Sequence, residues 1–141
     1  PNKLGTLNAL IDYARECDDT TRLALIKSII SAMDDRRFAE YPRWLCPKAL
    51  GYIRDERSVP YLIDPLLHYH DSVLVRLVAA EAVGIFYRDF NNPQAHKALL
   101  ESACTETSPR VRKTLKDFLG EEMPAAHAPV CPPHKDSPPP R

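Results

Sequence analysis

Few residues of this 141-residue chain are spaced for chemistry. His68 and His70 flank Tyr69, Asp71 follows, and His96 lies further on. Imidazole and carboxylate groups are what a zinc or iron ion takes as ligands. Positions two apart on a helix point to different sides, however, and His96 aligns with Ile63 one repeat earlier. A solvated helix end is the better reading, and no metal site is assigned. Cys17, Cys46, Cys104 and Cys131 contain no close pair of the kind a zinc turn uses. Cys46 falls on an apolar helical stripe and reads as a small buried hydrophobe. Reduced thiols in a cytoplasmic protein are the expectation for the set. No serine or cysteine has a base at a meaningful spacing, and the four glycines form no phosphate loop. The chain is therefore read as lacking catalytic residues and cofactors.

Composition narrows the partners. Nineteen basic residues balance nineteen acidic ones, which argues against a general nucleic-acid or anionic-membrane surface. No apolar run approaches a membrane span, and the first residues do not resemble a signal peptide. The length suits one domain with a real core.

The elements that would position any site repeat along the chain. Val75, Val78, Ala79, Ala82, Val83 and Phe86 recur at three-and-four spacing and form one helical stripe. Shifting back 33 residues places Arg76 on Arg43, Ala82 on Ala49, Gly84 on Gly51 and Pro93 on Pro60. The stripe is kept there as Pro42, Leu45, Cys46, Ala49, Leu50 and Ile53. A third copy 36 residues downstream of the central one carries Val111, Arg112, Leu115, Phe118, Leu119 and Gly120. A period in the thirties with a helical stripe in each copy means a solenoid of helix pairs.

Val-Arg, a small-residue helix, then Ala-Leu-Gly or Ala-Val-Gly, a short linker and Val-Pro-Tyr-Leu resemble HEAT repeats. The short type found in phycobilin-lyase-like proteins is nearest. The resemblance implies an all-α, right-handed α-solenoid (an alpha-alpha superhelix, HEAT/armadillo-like) of about three to four helix pairs, covering residues 1–120. It says little of function, because such repeats serve unrelated jobs. Where iron-dependent hydroxylases of the wider class carry His-Glu pairs, this chain has Trp44-Leu45 and Leu77-Val78. That activity is not carried over.

Helices are expected over 4–16, 21–33, 42–54, 59–68, 72–88, 93–105 and 108–119. The first buries Leu7, Leu10, Ile11 and Ala14. The second, capped by Asp18, Asp19 or Thr20, buries Ala24, Leu25, Ile29 and Ala32. Thr21-Arg22 stands where later copies have Val-Arg, so this helix reads as the second of its pair. Arg22 to Arg43 is twelve residues short of the later period, which leaves only a short helical turn at 34–41, plugged by Phe38. Pro42, Pro60, Pro93 and Pro109 stand near helix starts, where a missing N–H costs nothing. Pro47 could move its helix start later, and Pro65 should bend its helix. Half of the fourteen prolines lie in the last 21 residues, so 121–141 reads as an extended tail dispensable for folding.

Surface residues remain as the functional candidates. One step beyond the buried stripe, the second helices carry Leu23, Lys27 and Ser31, then Trp44, Lys48 and Tyr52, then Leu77, Glu81 and Ile85, then Lys113 and Asp117. Second helices of such solenoids line the concave face, so this row would stack into one wall. An aromatic and apolar centre with a charged rim has the layout of a protein-binding hot spot. The competing reading is that Trp44 and Leu77 only pack between helices. Arg43, Arg76 and Arg112 form a ladder expected to stitch neighbouring units, with Asp71 as the partner of Arg76. The leading expectation is a non-catalytic binding module or scaffold for another protein, such as an adaptor or a dedicated inhibitor. The alternatives are a cofactor-handling subunit related to bilin lyases and a HEAT-like nucleic-acid binder with a basic patch at Arg36, Arg37, Arg43 and Lys48.

Overall fold

In the computed structural model, residues 3–34 and 43–125 are described, and every regular element among them is helical. The helices are α1 (Lys3–Glu16), α2 (Asp19–Asp34), α3 (Leu45–Ile53), α4 (Val59–Leu67), α5 (Val73–Phe90), α6 (Pro93–Thr105) and α7 (Pro109–Leu119). Short 3-10 turns at Glu56–Ser58 and Gly120–Glu122 precede α4 and follow α7. The expected turn at 34–41, with Phe38 and the Arg36 and Arg37 patch, lies outside the described residues, as does Pro42.

Local chemistry sets the boundaries. The Asp18 carboxylate accepts the Thr21 N–H at 2.7 Å and caps α2, and that amide holds the carboxyl below its usual range. Ser72 accepts from Val75 and Asn92 from Ala95, capping α5 and α6. Prolines occupy the first turns of α4, α6 and α7. Pro47 stands in the first turn of α3, which begins at Leu45 rather than at 42. Arg54 and Asn91 close α3 and α5 in the left-handed conformation.

Each helix buries one stripe. Val75, Val78, Ala79, Ala82, Val83 and Phe86 of α5 are all buried, as are Leu45, Ala49, Leu50 and Ile53 of α3 and Val111, Leu115 and Leu119 of α7. The α2 stripe differs from the expected one. Ala24 is exposed, whereas Ile26, Ile29 and Met33 are buried.

That difference reassigns α2. Its first turn meets the end of α3, with Arg22 Nη1 3.9 Å from Asp55, so α2 runs opposite to α3 and pairs with it. The last turn of α1 meets the last turn of α3, where Arg15 Nε donates to the Tyr52 carbonyl at 2.9 Å; α1 therefore runs parallel to α3. Hence α1 takes the place of a second helix, and α2 is a first helix. Its burial agrees: Ile26, Ile29 and Met33 fall, 33 residues on, upon the buried Val59, Leu62 and Leu66 of α4. The period does not break between Arg22 and Arg43, and Leu23, Lys27 and Ser31 leave the second-helix row. The molecule is a layer of first helices (α2, α4, α6) against a layer of second helices (α1, α3, α5, α7).

Beyond α7 the chain stays in contact. Gly120 turns it with φ +58, Met123 packs against the core, and the Pro124 carbonyl accepts from Arg112 Nη2 at 3.0 Å. Cys17 and Cys46 are free thiols. Cys104 is disulfide-bonded, which corrects the expectation of a fully reduced set.

Candidate functional site

Trp44, Lys48 and Tyr52 follow one another at four-residue spacing, which places them on one face of the α3 segment. The Lys48 ammonium lies 5.4 Å from the centre of the Trp44 ring, close enough for cation–π attraction. Tyr52 is 48 % exposed. Across from them on α5, Glu81 is exposed and Ile85 half-buried. Lys48, Tyr52, Glu81 and Ile85 share a groove of about 100 Å³, floored by Gly51, Val78 and Ala82. The floor exists because α3 and α5 approach closely: a β-carbon on Gly51 would meet that of Ala82 at 3.1 Å.

Leu77 departs from the row. It is 8 % exposed and belongs to the core, because one step from the stripe at the start of α5 still faces neighbouring helices. On α7, Lys113 and Asp117 pair with each other at 3.5 Å and are well exposed. The structure thus brings Lys48, Tyr52, Glu81 and Ile85 together around one groove, leaves Trp44 beside Lys48 outside its lining, and places Lys113 and Asp117 on α7, also away from it.

Of the ladder arginines, Arg43 and Arg76 bond acids of the following unit, whereas Arg112 bonds its own unit and Pro124. Arg76 Nη1 donates to the Tyr69 and His70 carbonyls at 2.8 and 3.1 Å, in the link between α4 and α5. Arg112 Nη1 does the same for the Ala103 and Glu106 carbonyls at the end of α6. The carboxylate partner of Arg76 is Glu106, at 2.8 Å, with side chains 9 % and 5 % exposed. Asp71 pairs with Arg43 instead, at 3.4 Å in an exposed contact, while the Arg43 guanidinium lies 5.4 Å from the Tyr69 ring centre. Each acid therefore serves the arginine of the preceding unit. Sequence reading missed Glu106, although it precedes α7 much as Asp71 precedes α5, about thirty residues after the arginine it serves.

At the opposite end of the stack the stitches are exposed. Arg57 embraces Asp55 at 2.7 to 3.2 Å, which lowers the Asp55 pKa. Arg88 and Arg54 both bond Asp89 and hold its pKa at about 2. Asn92 donates to Glu56 at 3.0 Å. His68 and His70 stand edge to face at 6.5 Å, and His96 stacks on Tyr87 while bonding Glu122. Among the described residues no cluster of three or more His, Cys, Asp or Glu could hold a metal, and no helix is long and apolar enough to cross a membrane.

Comparison with known proteins returned one family. The model for HEAT repeats matches residues 26–120, starting within α2 and so taking in the pairs α2–α3, α4–α5 and α6–α7. No curated protein and no solved structure matches the chain. With stacked helix pairs, a recurring second-helix arginine and a family match spanning three pairs, the chain belongs to the HEAT-repeat family.

Proposed function

We propose that this HEAT-repeat domain is a non-catalytic protein-binding module whose contact surface is the groove between α3 and α5. The observation that carries this reading is the exposure of Tyr52 beside Lys48, Glu81 and Ile85 over a floor set by the close approach at Gly51. A large ring held on a rigid helix contributes contact area at small cost in side-chain entropy. Lys48 and Glu81 give the rim both signs of charge, which would orient a partner rather than attract polyanions in general. HEAT domains typically serve protein interaction, and an adaptor or an inhibitor dedicated to one partner fits this small surface.

The test is capture of the partner from the native cell with the parent chain and with Tyr52→Ala and Trp44→Ala. Hot-spot truncations often cost about 2 kcal/mol or more, so at least tenfold weaker capture is expected, with the helical signal of both variants unchanged. Equal capture by parent and Tyr52→Ala would reject the groove as the contact surface.

A further inference from the structure

A cavity of about 410 Å³ opens at the end of the stack where α1, α3 and α5 finish. Arg15, Arg22, Arg54 and Arg57 line it, against two acids, Asp55 and Glu56. How the acids are used decides what charge is left over. Asp55 is paired with Arg57 at 2.7 Å and has Arg22 3.9 Å away. Glu56 accepts from Asn92 and pairs with no cation among the described residues. Just outside, Asp89 is shared by Arg54 and Arg88, and Asp19 by Arg22 and Arg57. Arg15 meets no carboxylate among the described residues, because its Nε and Nη2 both go to the Tyr52 carbonyl. The cavity lining is therefore cationic in a chain without net charge.

These cations are also held in place. Arg22 is tied to the Ala14 and Cys17 carbonyls at 2.7 and 2.8 Å, and Arg15 to that of Tyr52. Arg54 lies over the Phe90 ring, 5.1 Å from its centre. The carbonyl bonds cover acceptors at the ends of α1 and α3, whose partial negative charge would otherwise oppose an anion. Guanidiniums fixed in advance lose little entropy on taking a carboxylate, and their planar fork matches its two oxygens. The acids at the rim, Asp19, Glu56 and Asp89, work against a continuous polyanion such as nucleic acid. They leave the centre to isolated carboxylates, which a protein segment supplies.

We propose that the arginine-lined cavity at the ends of α1, α3 and α5 is a docking site for an acidic segment of a partner protein, with a carboxylate taken by Arg15 and Arg54. It does not rest on the reading of the Tyr52 groove.

The test titrates the full chain into two dye-labelled, capped peptides, one alternating glutamate with serine and the other glutamine with serine. Binding is read by fluorescence anisotropy at low and high salt. The expected result is binding of the glutamate peptide alone, weakened by salt. The double variant Arg15→Gln, Arg54→Gln should bind it about tenfold more weakly, with an unchanged helical signal. Glu56→Gln removes a competing charge, should bind more tightly, and serves as the test if the double variant fails to fold. Tyr52→Ala should bind as the parent does, which separates this site from the groove. Equal affinity for the two peptides would overturn the proposal, as would parental affinity in both the arginine variant and Glu56→Gln. So would loss of binding in Tyr52→Ala alone, which would move the peptide to the groove. Tighter binding of a mixed-sequence DNA duplex than of the glutamate peptide would also overturn it and make the cavity a nucleic-acid site.

Discussion

The two ends of the helix stack are held by ion pairs of opposite character. Where the second helices begin, Arg76 and Glu106 are paired out of water and Arg76 also satisfies two helix-end carbonyls. Where the second helices end, Arg57–Asp55, Arg54–Asp89 and Arg88–Asp89 form a network at the surface. A buried pair is costly to break because the remaining charge is stranded, whereas exposed pairs are weak and screened by salt. The first end should therefore behave as a fixed joint and the second as an adjustable one, since across units the second relies on the exposed Arg54–Asp89 and Arg57–Asp19 contacts, Arg57–Asp55 and Arg88–Asp89 being local pairs.

The sharpest way to break the comparison is at the buried pair. Arg76→Met leaves Glu106 without its partner and is expected to destabilise by about 3–5 kcal/mol. The double variant Arg76→Met, Glu106→Leu should recover much of that in chemical denaturation. Loss of the same size in both variants would mean that the carbonyl bonds, not the ion pair, fix the joint.

Next in size is Gly84. A β-carbon there would lie 2.3 Å from the Phe118 ring, which itself lies under Arg88, whose guanidinium is 5.6 Å from the ring centre. Gly84→Leu should cost on the order of 2 kcal/mol or more through overpacking, read as a lowered denaturation midpoint. If midpoint and slope match the parent, the ring swings aside freely and α5–α7 packing is adjustable too. Gly120 is different in kind, since nothing would meet its β-carbon, and its positive φ is the reason for glycine there.

At the exposed end, Arg57→Ala should have about a fifth or less of the Arg76→Met effect, shrinking further in 1 M salt. The carboxyls of Asp55 and Asp89 titrate below their unfolded values. Their stabilising contribution is complete above the ordinary carboxylate range and lost as pH falls, for Asp89 through about 2. Thermal melts between pH 5 and pH 2 should thus fall less steeply for Asp89→Asn than for the parent; identical acid slopes would remove Asp89 from the joint.

The smallest effect is expected at Ser58, whose hydroxyl is buried at the same end without a partner among the described residues. Ser58→Ala should leave stability unchanged or raise it by up to about 1 kcal/mol. Destabilisation would reveal an unrecognised acceptor, such as an ordered water.

The amino-acid sequence by itself determined the helices, most of their buried faces from α3 onward, and the recurrence of arginine and glycine in each unit; Cys46 and Phe118, expected on buried stripes, are half-buried. Helical periodicity and helix-start prolines are local properties, so Val75–Phe86 or Pro93 reads correctly without knowledge of neighbours. Even the place of α2 was legible, since Ile26, Ile29 and Met33 repeat Val59, Leu62 and Leu66; the pairing of Arg22 with the later arginines concealed it. Tertiary structure alone decided which helix each stripe meets. A stripe gives the direction of burial but not the identity of the partner, so Leu77 could be placed on the wall as readily as in the core. The partner of Arg76 was likewise undetermined, because Asp71 and Glu106 are both acids near a helix end and only the stacking of repeats brings Glu106 within 2.8 Å.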